Sequence, residues 1–285
     1  MGYTTKSAGE IFTKRSIDNA MSPNGVMLRE SRDSEEHPLS VPVILALDVT
    51  GSMGMIPHQL VKEGLPHMMA GIIEHGVQHP QVLFLAIGDH KTDDAPLQVG
   101  QFESNDELLD KWLTNVYLEG HGGGNGGESY ALAWYFAGYR TSTDSFEKRK
   151  TKGFLFTVGD EPVHNQISRH DMKQIMGEGE YGDYTAAALL AKARETYHVF
   201  HLHIKETMTG MEPRVINGWK EIMGENLIIV ESHDQIANII AETVVKYTKD
   251  AMPTQDVSQS VNTVEVDNSK PSSSEYKPND DIQML

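Results

Sequence analysis

The chain has 285 residues, a formal net charge of −17 and no cysteine. Charge of that sign and size repels phosphate backbones and argues against nucleic acid, and the missing cysteine removes disulfides, thiol catalysis and thiolate zinc sites. No apolar run approaches the ~18 residues of a membrane span, and the opening MGYTTKSAGEIFTKRS has no apolar core of a secretory signal, so a cytoplasmic chain with no membrane partner is expected.

Residues 1–39 carry scattered apolar positions (Ile11, Phe12, Ile17, Met27, Leu28) ahead of the charge-dense RESRDSEEHP, and read as an arm packed along a domain that spans 40–250. Val41 to Leu47 has the length and composition of a buried strand, and a helical segment follows from about Ile56 to His75. The next strand is Val82 to Ile87. Only about nine residues separate it from Leu97 to Phe102, too few for a crossover helix, so these two should pair antiparallel at the sheet edge. Helical segments are expected over Asn105 to Tyr117 and Glu128 to Tyr139, and strands over Gly153 to Val158, Val199 to Ile204 and Leu227 to Val230. Glu147 to Lys152 (EKRKTK) reads as a solvated basic loop leading into a strand. Two more helices are expected, over Tyr184 to Tyr197 and Gln235 to Lys249; in the latter Ile236, Ile239, Ile240, Thr243, Val244 and Tyr247 recur at helical spacing. Residues 251–285 turn to Ser, Asn, Asp, Pro and Gln and read as a disordered tail. Strands alternating with helices give an α/β class with a mostly parallel sheet covered on both faces.

Three places at expected strand ends carry chemistry. The first strand delivers Asp48-Val49-Thr50-Gly51-Ser52; a glycine-rich loop, Gly120 to Ser129, opens a helix; and GFLFTVG delivers Asp160 just beyond its end. Open parallel sheets bind ligands beyond the carboxyl ends of strands, where the strand order reverses. Carboxylates and hydroxyls are hard oxygen donors, which suit Mg²⁺, or Mn²⁺ or Ca²⁺, over zinc or copper.

Asp48-Val49-Thr50-Gly51-Ser52 resembles the Asp-x-Ser/Thr-x-Ser opening of von Willebrand factor A (vWA) domains, where it forms the metal-ion-dependent adhesion site. The antiparallel edge strand and the later Asp160 match that family's plan over roughly residues 40–250. The resemblance implies a Rossmann-like sheet. It also implies a metal held by the hydroxyls of Thr50 and Ser52, with Asp48 and Asp160 acting directly or through water. The family's usual threonine from the middle loop is missing from GHGGGNGGES, and Asn125, then Glu128, are the candidates for its place. Glu128, Asp89 and His164 are also candidates to stand behind the ligands. The function implied is non-enzymatic: a partner protein's Asp or Glu completes the metal shell. Cytosolic members of the family often work with an AAA+ ATPase of MoxR type.

Plainer readings stand beside these. Asp48 could cap a turn, Ser52 could cap the following helix, and Asn125 with Glu128 forms a variant capping box. Asp89, Asp93 and Asp94 read as an acidic hairpin loop, and His198, His201 and His203 as structural histidines. A haloacid-dehalogenase-like phosphohydrolase would use Asp48 as nucleophile, but its second aspartate would stand where Thr50 is. A structural or assembly protein with a vestigial metal site is the remaining alternative.

Overall fold

The computed structural model describes residues 14–60, 64–118 and 126–251; Asn125, His121 and the expected tail after Ala251 lie outside the described residues. In chain order the strands are β1 (Arg29–Ser31), β2 (Val41–Asp48), β3 (Pro80–Ile87), β4 (Leu97–Glu103), β5 (Thr141–Thr143), β6 (Gly153–Gly159), β7 (Gln166–Ile167), β8 (Tyr184–Thr185), β9 (Tyr197–Ile204) and β10 (Leu227–Val230). The helices are α1 (Ile56–Gln59), α2 (Leu65–Glu74), α3 (Asp106–Thr114), α4 (Tyr130–Tyr139), α5 (Asp144–Arg149), α6 (Arg169–Met176), α7 (Ala186–Thr196), α8 (Pro213–Met223) and α9 (Ile236–Ala251).

Six strands form the central sheet in the order β10-β9-β6-β2-β3-β4. All neighbours run parallel except β3 and β4, whose antiparallel pairing places β4 at the edge. This is the Rossmann-like α/β architecture expected from the sequence. The chain leaves β2 on one side to build β3 and β4, then returns to the other side of β2 to lay down β6, β9 and β10. Strand order therefore reverses between β2 and β6.

Alternation along β2 divides the core. Val43, Leu45 and Leu47 face α2, α3 and α9, while Ile44 and Ala46 face α4, α7 and α8. Asp48 is in phase with Ile44 and Ala46, so its carboxylate meets the α4 side. Helix α4 (YALAWYFAGY) is apolar around its circumference, and Tyr130 through Ala137 are all buried. Such a helix has no solvent face and belongs inside. It begins at Tyr130, two residues later than the sequence suggests. The backbone of Glu128 bonds instead to the β6–β7 connection (Glu128 N to Pro162 O, 2.8 Å; His164 N to Glu128 O, 3.1 Å), so Glu128 is extended rather than helical.

The arm is tied down along the edge strand β4 and again at the start of β2. Met21 is fully buried, and its carbonyl accepts from Val99 N at 2.8 Å; Arg29 Nε donates to Gly100 O at 2.8 Å. The EKRKTK stretch is not a loop throughout: its first three residues end α5. Arg149 reaches Asp33 (2.5 Å) and Ser40 O (2.9 Å), and Lys148 reaches Asp144 (2.6 Å). The cations of α5 face the carboxylates that flank the start of the sheet, which is why they are ordered there.

Candidate metal centre

Two strand ends and one helix start build the site. Beyond β2, residues Gly51–Met53 form a single 3-10 turn that brings the hydroxyls of Thr50 and Ser52 to 3.3 Å of one another. Gly54 follows at φ +54°, a conformation that glycine takes without steric cost. Asp48 Oδ1 accepts from Thr50 N (2.9 Å) and Thr50 Oγ1 (2.6 Å), and Asp48 Oδ2 accepts from the Tyr130 hydroxyl (2.6 Å). Ser52 Oγ donates to Asp160 Oδ1 at 2.9 Å. The result is an unbroken line of oxygens, Asp48–Thr50–Ser52–Asp160, across the switch point.

Every carboxylate in this line is buried. Asp48 and Asp160 have no exposed surface, and Glu128 is 5% exposed. Among the described residues, the buried oxygens Asp160 Oδ2 and Glu128 Oε2 have no hydrogen-bond partner at standard geometry, and the Thr207 hydroxyl acts on the Asp160 carboxyl. A buried carboxylate oxygen without a partner is costly and calls for either a proton or a cation. Among the described residues no lysine or arginine pairs with these groups. Burial, reinforced by the neighbouring Asp160, pushes the Asp48 carboxyl up to about 7, against the opposing hydrogen bonds from Thr50 and Tyr130. Burial, then the charges of Asp48 and Asp89, pushes Glu128 up to about 10. Burial raises Asp160 as well, opposed by the Thr207 and Ser52 hydroxyls. Burial holds the Tyr130 phenol protonated, so it serves Asp48 as a donor.

Carboxylates and hydroxyls converge here with unsatisfied buried oxygens and no thiolate. That set fits a hard divalent cation of the magnesium class. Asp48, Thr50, Ser52 and Asp160, named from the sequence, are brought together. Glu128 is the described residue of the glycine-rich loop whose carboxyl joins them. Asp89 and His164 bond to each other instead (His164 Nε2 to Asp89 Oδ1, 2.8 Å). His201 and His203 share a face and are both fully buried, His201 against Thr157 Oγ1 (2.9 Å) and stacked on Trp219, His203 against Gly210 O (2.9 Å).

Sequence reasoning missed Tyr130 and Thr207. Tyr130 carried one usable signal, as the polar-tipped residue opening a helix that is otherwise apolar and buried. Thr207 lies in a connection with no periodicity to place it.

No protein-family model and no curated protein matches this sequence. Solved structures similar in shape include the pilus adhesin SpaC from Lactobacillus rhamnosus GG (11% identity, TM-score 0.47, 76% of this chain and 31% of the adhesin). Another is proximal thread matrix protein 1 from the mussel byssus with a zinc-occupied MIDAS motif (12%, TM-score 0.44, 73% and 46%). A third is the vWF domain of the type V pili tip protein Mfa5 from Porphyromonas gingivalis (8%, TM-score 0.44, 75% and 97%). The chain thus spans about a third of the adhesin's length. Among the described residues, no helix is long and apolar enough to cross a membrane.

Proposed function

We propose that this chain is a divalent-metal-dependent protein-binding module of the vWA type. The observation that carries this reading is the line Asp48–Thr50–Ser52–Asp160 at the switch point, whose two buried carboxylates have no lysine or arginine partner among the described residues. Thr50 and Ser52 would offer neutral hydroxyls to the ion, and Asp48 and Asp160 would supply the balancing charge. Tyr130 holds Asp48 in orientation from behind. When bound, the ion supplies a positive point able to accept a carboxylate from outside the chain. Magnesium is the ion the donors favour, with manganese and calcium as alternatives. A cytoplasmic setting and a partner ATPase of the MoxR type are what the resemblance to vWA domains adds.

The place of the second aspartate that a haloacid-dehalogenase-like phosphohydrolase uses as general acid is held by Thr50, and this favours holding a metal over nucleophilic attack. Turnover of a generic phosphate ester that disappears in Asp48→Asn would instead support the phosphohydrolase.

Metal and carboxylate must strengthen each other's binding by one common factor. Titration of Mn²⁺ into the full chain, with and without a short glutamate-containing peptide, measures that factor. We expect the peptide to tighten Mn²⁺ binding, and Asp48→Ala to remove both Mn²⁺ and peptide binding. Peptide binding that persists in EDTA, or Mn²⁺ binding indifferent to the peptide, would contradict the reading.

A further inference from the structure

Beside the oxygen site stands a cluster that the proposed function leaves unused. Asp89 follows β3, His90 is next in the chain, and His164 follows β6. Each of the three can present one ligand atom such that all lie within 4.8 Å of one another. The side chains are almost closed to solvent, at 1% exposure for Asp89, 3% for His90 and 8% for His164. His90 and His164 line a cleft of about 870 Å³ shared with Lys91 and Asp171.

We propose that Asp89, His90 and His164 form a second metal site, separate from the oxygen site and selective for a borderline transition ion such as Zn²⁺. Two imidazoles and one carboxylate are the donors such ions prefer, whereas Mg²⁺ takes oxygen. Three protein ligands leave a fourth position, which falls to water or to an anionic group from the cleft. Ligand atoms of a tetrahedral site with bonds of about 2.0 Å stand about 3.3 Å apart. His164 Nε2 and Asp89 Oδ1 are 2.8 Å apart, and His90 Nδ1 is 4.0 Å from the same oxygen, so side-chain adjustments alone assemble the site.

The surroundings match those of a bound imidazole. The other ring nitrogen of His90 faces Asp171 Oδ2 at 4.0 Å, and metal-bound histidines characteristically turn their free nitrogen to a carboxylate. Asp89 is itself held: Oδ1 accepts from Lys91 N (3.0 Å) and Oδ2 from Thr92 Oγ1 (3.0 Å). Two groups compete with the ion. Ser129 Oγ lies 2.7 Å from His90 Nδ1, and the ammonium of exposed Lys91 lies 3.0 Å from His164 Nδ1. An ammonium can only donate, so His164 Nδ1 accepts and Nε2 carries its hydrogen toward Asp89. Metal binding at Nε2 moves that hydrogen to Nδ1 and turns Lys91 away. Lys91 is thus a built-in competitor, and its removal should tighten the site.

The test titrates the full, metal-free chain with Zn²⁺, and in parallel with Co²⁺ followed by visible absorption, both in excess Mg²⁺ to fill the oxygen site. We expect one Zn²⁺ per chain and the intense bands of four-coordinate Co²⁺. His164→Gln and His90→Gln should weaken binding by about 100-fold, and Asp171→Asn by about 10-fold. Lys91→Met should bind Zn²⁺ several-fold tighter, a readout that keeps all three ligands and does not depend on a histidine variant folding. Asp48→Ala should bind Zn²⁺ like the unaltered chain, which separates this site from the one proposed above. Zn²⁺ affinity unchanged in His164→Gln and Lys91→Met, Zn²⁺ binding lost in Asp48→Ala, or only weak octahedral Co²⁺ bands would each overturn the assignment.

Discussion

The two ends of strands β2 and β6 treat the same residue type in opposite ways. At the start of the strands, Asp144 accepts from Lys148 (2.6 Å), Arg32 (2.9 Å) and Asp33 N (2.9 Å), and these bonds hold its carboxyl well below the usual carboxylate range. At the far end of the strands, Asp48 and Asp160 are fully buried beside each other with no cation among the described residues, and both are shifted upward. The difference teaches where the chain is finished and where it is not. Charges at the base are balanced internally and serve stability. Charges at the top are left for something to balance from outside, which is the pattern of a metal site.

Substitutions break this comparison most strongly at the top. Asp160→Asn removes one of the two aspartates of the line and should weaken Mn²⁺ binding by at least about 100-fold, read by titration calorimetry. The same chemical change at the base should act on folding alone. Asp144→Asn should cost about 2 kcal/mol in urea unfolding, since hydrogen bonds to a charged group are lost, and should leave Mn²⁺ affinity intact. In the metal-free chain Asp160→Asn should have the opposite sign, gaining about 1 kcal/mol as an unpaired buried charge disappears.

Proton linkage sharpens the contrast. Asp48 binds its proton more tightly folded (about 7) than at its ordinary 3.8, so the metal-free chain should gain stability from this group as pH falls from about 7 to about 4. Asp144 is shifted down, so its contribution is in place above its ordinary 3.8 and is lost as pH falls further below it. Mg²⁺ should abolish the first slope, leave the second, and bind more weakly as pH falls, because ion and proton compete for the same carboxylates. Thermal melts across pH, with and without Mg²⁺, measure all three. The smallest effect is expected from Glu128→Gln. A carboxyl held up at about 10 already carries its hydrogen at neutral pH, so Mn²⁺ affinity should change only a few-fold.

The sheet was legible because its signals are local. The apolar run of β2, the short connection between β3 and β4, and the helical spacing of Ile236, Ile240 and Val244 each determine an element within one window. Asp48, Thr50, Ser52 and Asp160 were legible because they sit at strand ends, where function collects in this architecture. What escaped depends on distant pairing. Tyr130 meets Asp48 across 82 positions, and only the seating of α4 on the sheet joins them. Glu128 looked like a first-turn glutamate until its backbone paired with Pro162 and His164. Lys148 and Arg149 looked like loop cations because Asp33 and Asp144, their partners, sit in the arm and at the start of an unforeseen helix.

The most direct measurement is the binding of Mn²⁺ to the metal-free full chain, followed by electron paramagnetic resonance, beside Asp160→Asn and Asp144→Asn. The account predicts an oxygen-ligated ion bound by the unaltered chain and by Asp144→Asn, and lost in Asp160→Asn. Equal Mn²⁺ binding by all three, or none by the unaltered chain, would contradict it.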